Sequence, residues 1–186
     1  SESCANEINA NAMLVRVGAL YHDIGKMYNP TYFTENQSTG INPHDELSPL
    51  ESAKIIIGHV IKGIEIAKKN KLPDRVVDFI RTHHGTSTVR YFYNKQMELN
   101  SEFDSNDFKY NGPKPFSKET AILMMCDSVE AASKSLKDPT STKINSFVET
   151  VISTQMDADQ FLNANITFKE IESIKKVLKH KLANIY

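Results

Sequence analysis

The sequence predicts an all-α protein that folds as a single compact helical domain. Apolar residues recur at spacings of three and four along several segments, helix start signals precede those segments, and no stretch alternates like a strand. With 186 residues the chain can bury about two thirds of its extended surface as one unit. No Gly/Ser-rich linker divides it, so we expect one domain over residues 1–186.

Helix signals follow one another along the first half of the chain. Residues 1–5 already favour a helix. A second helix should carry one apolar stripe that ends at His22 and Asp23, formed by Met13, Leu14, Val17, Leu20 and Tyr21. Ser48-Pro49-Leu50-Glu51 is a capping box with proline at the first helical position, which predicts a long helix that contains His59 and continues toward Lys69.

The second half continues in the same way. Pro73 should open a helix that closes near His83-His84-Gly85, because glycine adopts the left-handed conformation that ends helices. Residues 91–115 predict a short helix followed by a long loop. Three more helices are expected: one introduced by Ser117-Lys118-Glu119 that holds Asp127, one from Pro139, and one capped by Thr167–Glu170 that ends near Ala183.

Charge and cysteine content exclude several classes of protein. Lys and Arg total 22 against 23 Asp and Glu, so nothing draws the chain to a nucleic-acid polymer or an anionic bilayer. Cys4 and Cys126 lie far apart outside any C-x-x-C arrangement, which argues against a disulfide framework and a thiolate zinc site. The longest apolar run, residues 121–126, is too short to cross a bilayer. We expect a soluble piece from a reducing compartment.

The most informative motif is His22-Asp23-Ile24-Gly25-Lys26, which stands at a helix end and is joined by the pair His83-His84. Imidazole nitrogen binds transition metals, a carboxylate can bridge two of them, and a lysine can meet phosphate charge. These residue types together predict a metal site that attacks phosphate esters.

His59 and Asp127 each have two explanations. Taken alone, His59 is a core histidine with a hydrogen-bond partner, and Asp127 is a buried acceptor on an apolar helix face. A single metal centre accounts for all of the helix-borne candidates together: His22, Asp23, His59, His83, His84 and Asp127. The mixture of imidazole and carboxylate favours iron, manganese or zinc, with magnesium on the oxygen-rich side.

Two other histidines are predicted to lie elsewhere. No apolar helix precedes His44-Asp45 and no Gly-Lys follows it, so we expect a loop, with an indirect supporting role at the metal site left open. His180 lies between two lysines near the end of the last helix, where a solvated basic face is favoured.

Several uncommon strings occur in an order that resembles the HD-domain metal-dependent phosphohydrolases. Besides the metal motifs they are Lys26-Met27-Tyr28-Asn29-Pro30, Glu35-Asn36-Gln37, Asn42-Pro43-His44-Asp45, Arg90-Tyr91-Phe92-Tyr93 and Gly112-Pro113-Lys114-Pro115. Over nearly the whole chain they resemble the cytoplasmic domain of the seven-transmembrane HD hydrolases, the PgpH-type cyclic di-AMP phosphodiesterases. HD-GYP enzymes fit less well, because Gly-Thr follows the histidine pair and no Gly-Tyr-Pro signature occurs.

The resemblance implies a two-metal hydroxide mechanism. His22, Asp23 and Asp127 would hold one divalent transition metal, and Asp23 would bridge to a second held by His59, His83 and His84. Iron and manganese are the leading candidates. Lys26 would act with Asp23 in catalysis by stabilising phosphate charge, although a solvated lysine at a helix end is the plainer alternative.

The resemblance also implies one more metal-binding histidine on a helix upstream of Ser1, and no residue from 1 to 11 can replace it. We therefore expect an HD domain truncated at its N-terminal helix, with weakened metal occupancy at the first position and reduced activity.

The function implied is hydrolysis of cyclic di-AMP to pApA, on the cytoplasmic face of a bacterial inner membrane to which an upstream portion ties the domain. One alternative is a module that senses a nucleotide or a metal without hydrolysis, and another is an HD phosphohydrolase for a different nucleotide. Arg90, Tyr91, Tyr93 and Lys114 are candidate substrate contacts, with helix packing or a plain turn equally good explanations. The sequence leaves the oligomeric state open.

Overall fold

Eight α-helices build the computed structural model, which describes residues 1–37, 40–136 and 139–185. They are α1 (Glu2–Glu7), α2 (Ala12–Tyr21), α3 (Pro49–Lys69), α4 (Asp74–Thr82), α5 (Arg90–Leu99), α6 (Lys118–Ser133), α7 (Ser141–Asp157) and α8 (Phe168–Ala183). The same ranges contain no strand, only an isolated antiparallel bridge between Thr88 and Lys109. None of the described helices has the length and hydropathy of a membrane span.

The predicted capping signals lie at the helix starts. In α3 the Ser48 hydroxyl accepts a hydrogen bond from the N–H of Glu51 at 3.2 Å, and the Glu51 carboxylate accepts one from the N–H of Ser48 at 3.0 Å. Comparable reciprocal caps begin α6 at Ser117 and α8 at Thr167. These side chains satisfy first-turn N–H groups that have no partner within the helix. In α7 the cap is Thr140, so Pro139 lies before the helix rather than in it.

The core is centred on α6. Every residue from 120 to 126 is buried, and the buried face continues toward the end of the helix at Val129 and Ser133. Helices α2, α7 and α8 pack against α6. A helix buried on nearly all sides holds its remaining polar groups in fixed positions, and Asp127 is one of them.

The apolar stripe predicted for α2 is only partly correct, because Leu14 and Val17 are half-buried but other members of the stripe are exposed. Met13 is 65% exposed and Leu20 is 72% exposed, whereas the buried residues of this helix are Val15 and Gly18. The reason is a close approach of α2 to α4, in which Gly18 lies directly against the ring of Phe79. A hydrophobic pattern does not register glycine as a contact residue, so it missed the face of α2 that packs against Phe79.

The chain after α2 passes tightly across α3. A Cβ atom added at Gly25 would lie 1.8 Å from the carbonyl oxygen of His59, so only glycine allows this approach. The glycine of the His-Asp motif therefore brings Asp23 and His59 together across two elements. Helix α4 ends as predicted, with His83 as its C-cap and Gly85 in the left-handed region at φ +50°.

Candidate metal centre

Four separate elements bring the predicted ligands to one place. His22 is the C-cap of α2 and Asp23 follows it, while His59 lies in the middle of α3. His83 caps the end of α4 with His84 next to it, and Asp127 comes from α6. All of these side chains meet in two groups of possible metal-binding atoms that share Asp23.

The two groups differ in size. We call the first the four-ligand position, and it consists of Asp23, His59, His83 and His84. The second is the three-ligand position, and it consists of His22, Asp23 and Asp127. Within each group, one ligand atom of every residue lies within 4.8 Å of the others.

Backbone carbonyls fix the orientation of three of the imidazole rings. In each ring Nδ1 donates to the carbonyl oxygen three residues earlier, from His22 to Ala19, from His59 to Ile56 and from His83 to Ile80. A neutral ring that donates from Nδ1 has a bare lone pair on Nε2. All three Nε2 atoms face the group around Asp23. The helix turns thus prepare these histidines as ligands.

Acceptor atoms crowd together as a result. Nε2 of His59 lies 3.1 Å from Nε2 of His83, and Oδ1 of Asp23 lies 3.3 Å and 3.5 Å from these two nitrogens. Oδ1 of Asp23 is also buried and has no hydrogen-bond partner. Lone pairs that converge without protons between them repel one another, and a cation placed among them removes that cost. The donor set therefore fits a divalent metal.

The two positions also differ in protonation. Burial lowers the pKa of His83, and burial together with the neighbouring His83 lowers the pKa of His84 well below its usual value. Burial acts in the same direction on His22, but hydrogen bonds to Asp127 and Asp23 outweigh it and raise the pKa of His22 to about 10. Before metal binds, His83 and His84 of the four-ligand position are neutral, whereas the three-ligand position holds a proton on His22.

Lys26 lies beside the ligands and not in open solvent. Its Nζ is 2.8 Å from Oδ2 of Asp23, it pairs with Glu35, and its side chain is 22% exposed. Burial works to lower the pKa of Lys26, but the two carboxylates raise it above its ordinary value. The lysine is therefore charged, next to the metal-binding carboxylate.

A cleft of about 1010 Å³ opens next to both positions, with His84 and Asp127 in its wall. Arg90 and Tyr91 line it. Tyr93 does not, because its ring packs edge-on against Phe103 with the centroids 5.4 Å apart. Lys114 follows the turn at Gly112 and is not among the lining residues. Of the four candidate substrate contacts, the fold leaves Arg90 and Tyr91 in position to meet a ligand.

His44 lies outside the ligand groups, in a structural role. Asn42 caps a short 3-10 helix, Pro43–Glu46, where we expected a loop. The His44 ring is buried, its Nε2 donates to the carbonyl oxygen of Tyr32 at 2.9 Å, and it packs against Phe92 with the centroids 4.8 Å apart. His180 is exposed near the end of α8, as predicted.

Two contacts at the centre were not predicted from the sequence. Tyr110 is stacked on His84, with the ring centroids 4.1 Å apart and the planes at 22°. Gln160 accepts a hydrogen bond from the N–H of Thr86 at 3.0 Å and so fixes the turn after the histidine pair. Tyr110 comes from the long loop and Gln160 from the segment after α7, so no local pattern links either residue to the ligands.

Comparisons with known proteins agree with this geometry. The family model described as "HD domain" matches residues 1–132. Over all 186 residues the chain is 46% identical to the cyclic-di-AMP phosphodiesterase PgpH of Listeria monocytogenes and 43% identical to that of Bacillus subtilis. These alignments cover 100% of the chain but 26% of each relative, so the chain spans about a quarter of the length of these curated proteins.

A solved structure gives the same result. The crystal structure of the L. monocytogenes PgpH HD domain in complex with cyclic-di-AMP matches with a TM-score of 0.96 at 46% identity, and the match covers 100% of the chain and 86% of that domain. Family model, sequence relatives and fold agree. The chain belongs to the HD domain family, and its fold is that of the PgpH HD domain.

Proposed function

We propose that the chain is the hydrolytic domain of a metal-dependent phosphodiesterase that opens cyclic di-AMP to pApA. The observation that carries this proposal is the convergence of His and Asp acceptors around the unpartnered Oδ1 of Asp23, beside a cleft of about 1010 Å³. The similarity to two proteins named as cyclic-di-AMP phosphodiesterases supports the choice of substrate.

The four-ligand and three-ligand positions would each hold one divalent transition metal, with iron or manganese the leading candidates. When bound, such cations make water acidic near neutral pH and neutralise charge that builds on phosphoryl oxygens. The side chains of the chain supply the rest. Asp23 belongs to both positions and so sets them next to each other.

Lys26 would stabilise the phosphate. A lysine has three N–H donors, and in the structure Asp23 and Glu35 accept from Nζ, which leaves one donor for a phosphate oxygen. Arg90 and Tyr91 lie farther along the cleft, where a guanidinium can meet the second phosphate and a ring can stack on adenine. Such stacking contributes about 1–3 kcal/mol per base.

The three-ligand position would gain a fourth ligand from outside this sequence. A cavity of about 630 Å³ reaches from Ser1 and Cys4 to His22 and Asp127, and its lining is mainly apolar. A helix seated there would reach the metal position. We propose that this helix supplies the additional histidine implied by the family resemblance, and that an upstream portion ties the domain to the cytoplasmic face of a bacterial inner membrane.

Product analysis tests the function. The chain, loaded with manganese or iron(II), is incubated with a panel of cyclic and linear nucleotides, and the products are separated by chromatography. Selective conversion of cyclic di-AMP to pApA, abolished by a chelator, is the expected result. Retention of the nucleotide without cleavage would favour a sensing module instead. Faster cleavage of another nucleotide would keep the hydrolase and change its substrate.

A further inference from the structure

Between α2 and α3 the chain forms short 3-10 helices that lie beside the metal centre. Among the described residues they are Ile24–Tyr28, Pro30–Tyr32, Thr34–Asn36 and Pro43–Glu46. We call residues 29–37 with 42–46 the flank segment. It contains two of the sequence strings that carry the family resemblance, Glu35-Asn36-Gln37 and Asn42-Pro43-His44-Asp45. None of their residues belongs to either ligand group.

The flank segment carries an acidic side chain to Lys26. Oε1 of Glu35 accepts a hydrogen bond from Nζ of Lys26, which also donates to Oδ2 of Asp23 at 2.8 Å. The ring of Phe33 lies 5.2 Å from the same Nζ. Lys26 is thus held between a metal-binding carboxylate and a carboxylate that belongs to neither ligand group.

One buried residue, His44, anchors this arrangement to the rest of the domain. The His44 ring donates to the carbonyl oxygen of Tyr32 at 2.9 Å and packs against Phe92 of α5. Gln37 closes the segment on itself by donating to the carbonyl oxygen of Thr31 at 3.1 Å. The exposed Glu35 is therefore carried by a segment that its buried residues Phe33 and His44 hold against the domain.

Metal binding would change the charge balance around Lys26. Once cations share the carboxylate of Asp23, that group can no longer balance Lys26, and the ammonium faces nearby positive charge. The Glu35 carboxylate then remains as the counter-charge.

We propose that Glu35 is a positioning residue that holds the Lys26 ammonium at the substrate phosphate, and that His44 acts at longer range by fixing the segment that carries Glu35. This inference rests on the proposed function, in which Lys26 contacts the phosphate. A four-carbon side chain that is free to rotate places its charge poorly, and fixing its end raises the rate of the reaction rather than the affinity for metal.

Nuclear magnetic resonance of ¹⁵N-labelled lysine tests the positioning without any turnover. Ammonium protons exchange slowly only when they are held in hydrogen bonds. The Lys26 signal should therefore be visible in the 186-residue chain loaded with zinc, a diamagnetic cation that engages the carboxylate of Asp23, and it is identified by its loss in Lys26→Met. Glu35→Ala should remove the signal as well. The matched control is Glu46→Ala, an exposed carboxylate in the same segment, which should keep it. An unchanged signal in Glu35→Ala would overturn the proposal.

A double-mutant cycle tests the catalytic use. In the metal-loaded chain we expect Lys26→Met to lower kcat for cyclic di-AMP about 100-fold and Glu35→Ala about tenfold, with the double variant no slower than Lys26→Met alone. Glu35→Gln, which keeps the size and one acceptor, should recover part of the loss. Bound metal, measured by mass spectrometry, should stay constant throughout.

The outcomes separate the two claims. Loss of metal in Glu35→Ala would make Glu35 a ligand, and multiplied effects in the double variant would make it independent of Lys26, so either result refutes the inference. If the unaltered chain binds metal but cleaves no cyclic di-AMP, the proposed function fails instead. The ammonium signal alone then decides whether Glu35 positions Lys26.

Discussion

The two candidate metal positions share Asp23 and differ in enclosure and in protonation. At the four-ligand position the side chains of His59 and His83 are 2% and 0% exposed, and the rings of Phe33 and Tyr110 pack around it. At the three-ligand position His22 and Asp127 are 15% and 17% exposed, and cavities open on both sides of Asp127. The four-ligand position is the more enclosed of the two, although His84 reaches the cleft, and the three-ligand position is open on two sides.

The difference indicates that the two metals would have different roles. A set of four ligands, in which burial lowers the pKa of His83 and His84, suits a metal that stays bound. A set of three, still protonated and next to a cleft, suits a metal that exchanges or that uses a free coordination site for water or substrate. The three experiments below challenge this contrast, in order of decreasing expected effect.

Replacing the shared ligand should have the largest effect. Asp23→Ala removes the only carboxylate common to both groups, so we expect both metals to be lost and turnover to fall by about 10³-fold or more. Metal content by mass spectrometry and rate of product formation are the measurements. Asp45→Ala, in the second His-Asp pair, is the control, and it should retain metal and activity. Full metal content in Asp23→Ala would show that Asp23 does not bridge the two positions.

Replacing unshared ligands should separate the two positions. His84→Ala should release the tightly held metal and lower turnover about 100-fold, because it reduces the larger group to three ligands. His22→Ala should leave that metal in place and release only the weaker one. His180→Ala, in an exposed histidine, controls for the loss of an imidazole. Identical metal loss in the His84 and His22 variants would mean that the positions are not distinct.

Acidity should affect the two positions unequally. Because the pKa of His22 is raised to about 10, a cation must displace its proton at neutral pH, so affinity at the three-ligand position should rise about tenfold per unit between pH 6.5 and 9.5. The protonated ring also stabilises the metal-free protein below pH about 6.5, and this contribution is lost as pH rises toward 10. The lowered pKa values of His83 and His84 predict a nearly flat profile at the other position. Titration calorimetry with manganese at several pH values measures the affinity at both positions. Parallel pH profiles would contradict the contrast.

Much of this molecule could be predicted from its sequence, because local signals decide it. Several helix ends were predicted correctly, from capping boxes at Ser48 and Thr167 and from the glycine after the histidine pair. The ligand types are visible in the sequence because His and Asp at helix ends or on apolar faces need a partner. Their convergence was a hypothesis at the level of sequence, because it depends on how four separate elements pack, and the structure brings them together.

What could not be predicted depends on contacts distant in sequence. The buried face of α2 is set by the contact of Gly18 with Phe79, which lies 61 residues farther along the chain. The hydrophobic pattern of α2 alone cannot predict that contact. The pairing of Lys26 with Glu35, the stacking of Tyr110 on His84 and the packing of Tyr93 against Phe103 have the same origin. Each requires the path of a loop, and loop paths follow from the packed helices rather than from propensity.

Anomalous diffraction from crystals of the manganese-loaded chain tests the central claim most directly. We expect a strong peak among Asp23, His59, His83 and His84 and a weaker peak among His22, Asp23 and Asp127, with the carboxylate of Asp23 between them. Metal bound elsewhere, or a weaker peak at the four-ligand position than at the three-ligand position, would contradict the claim.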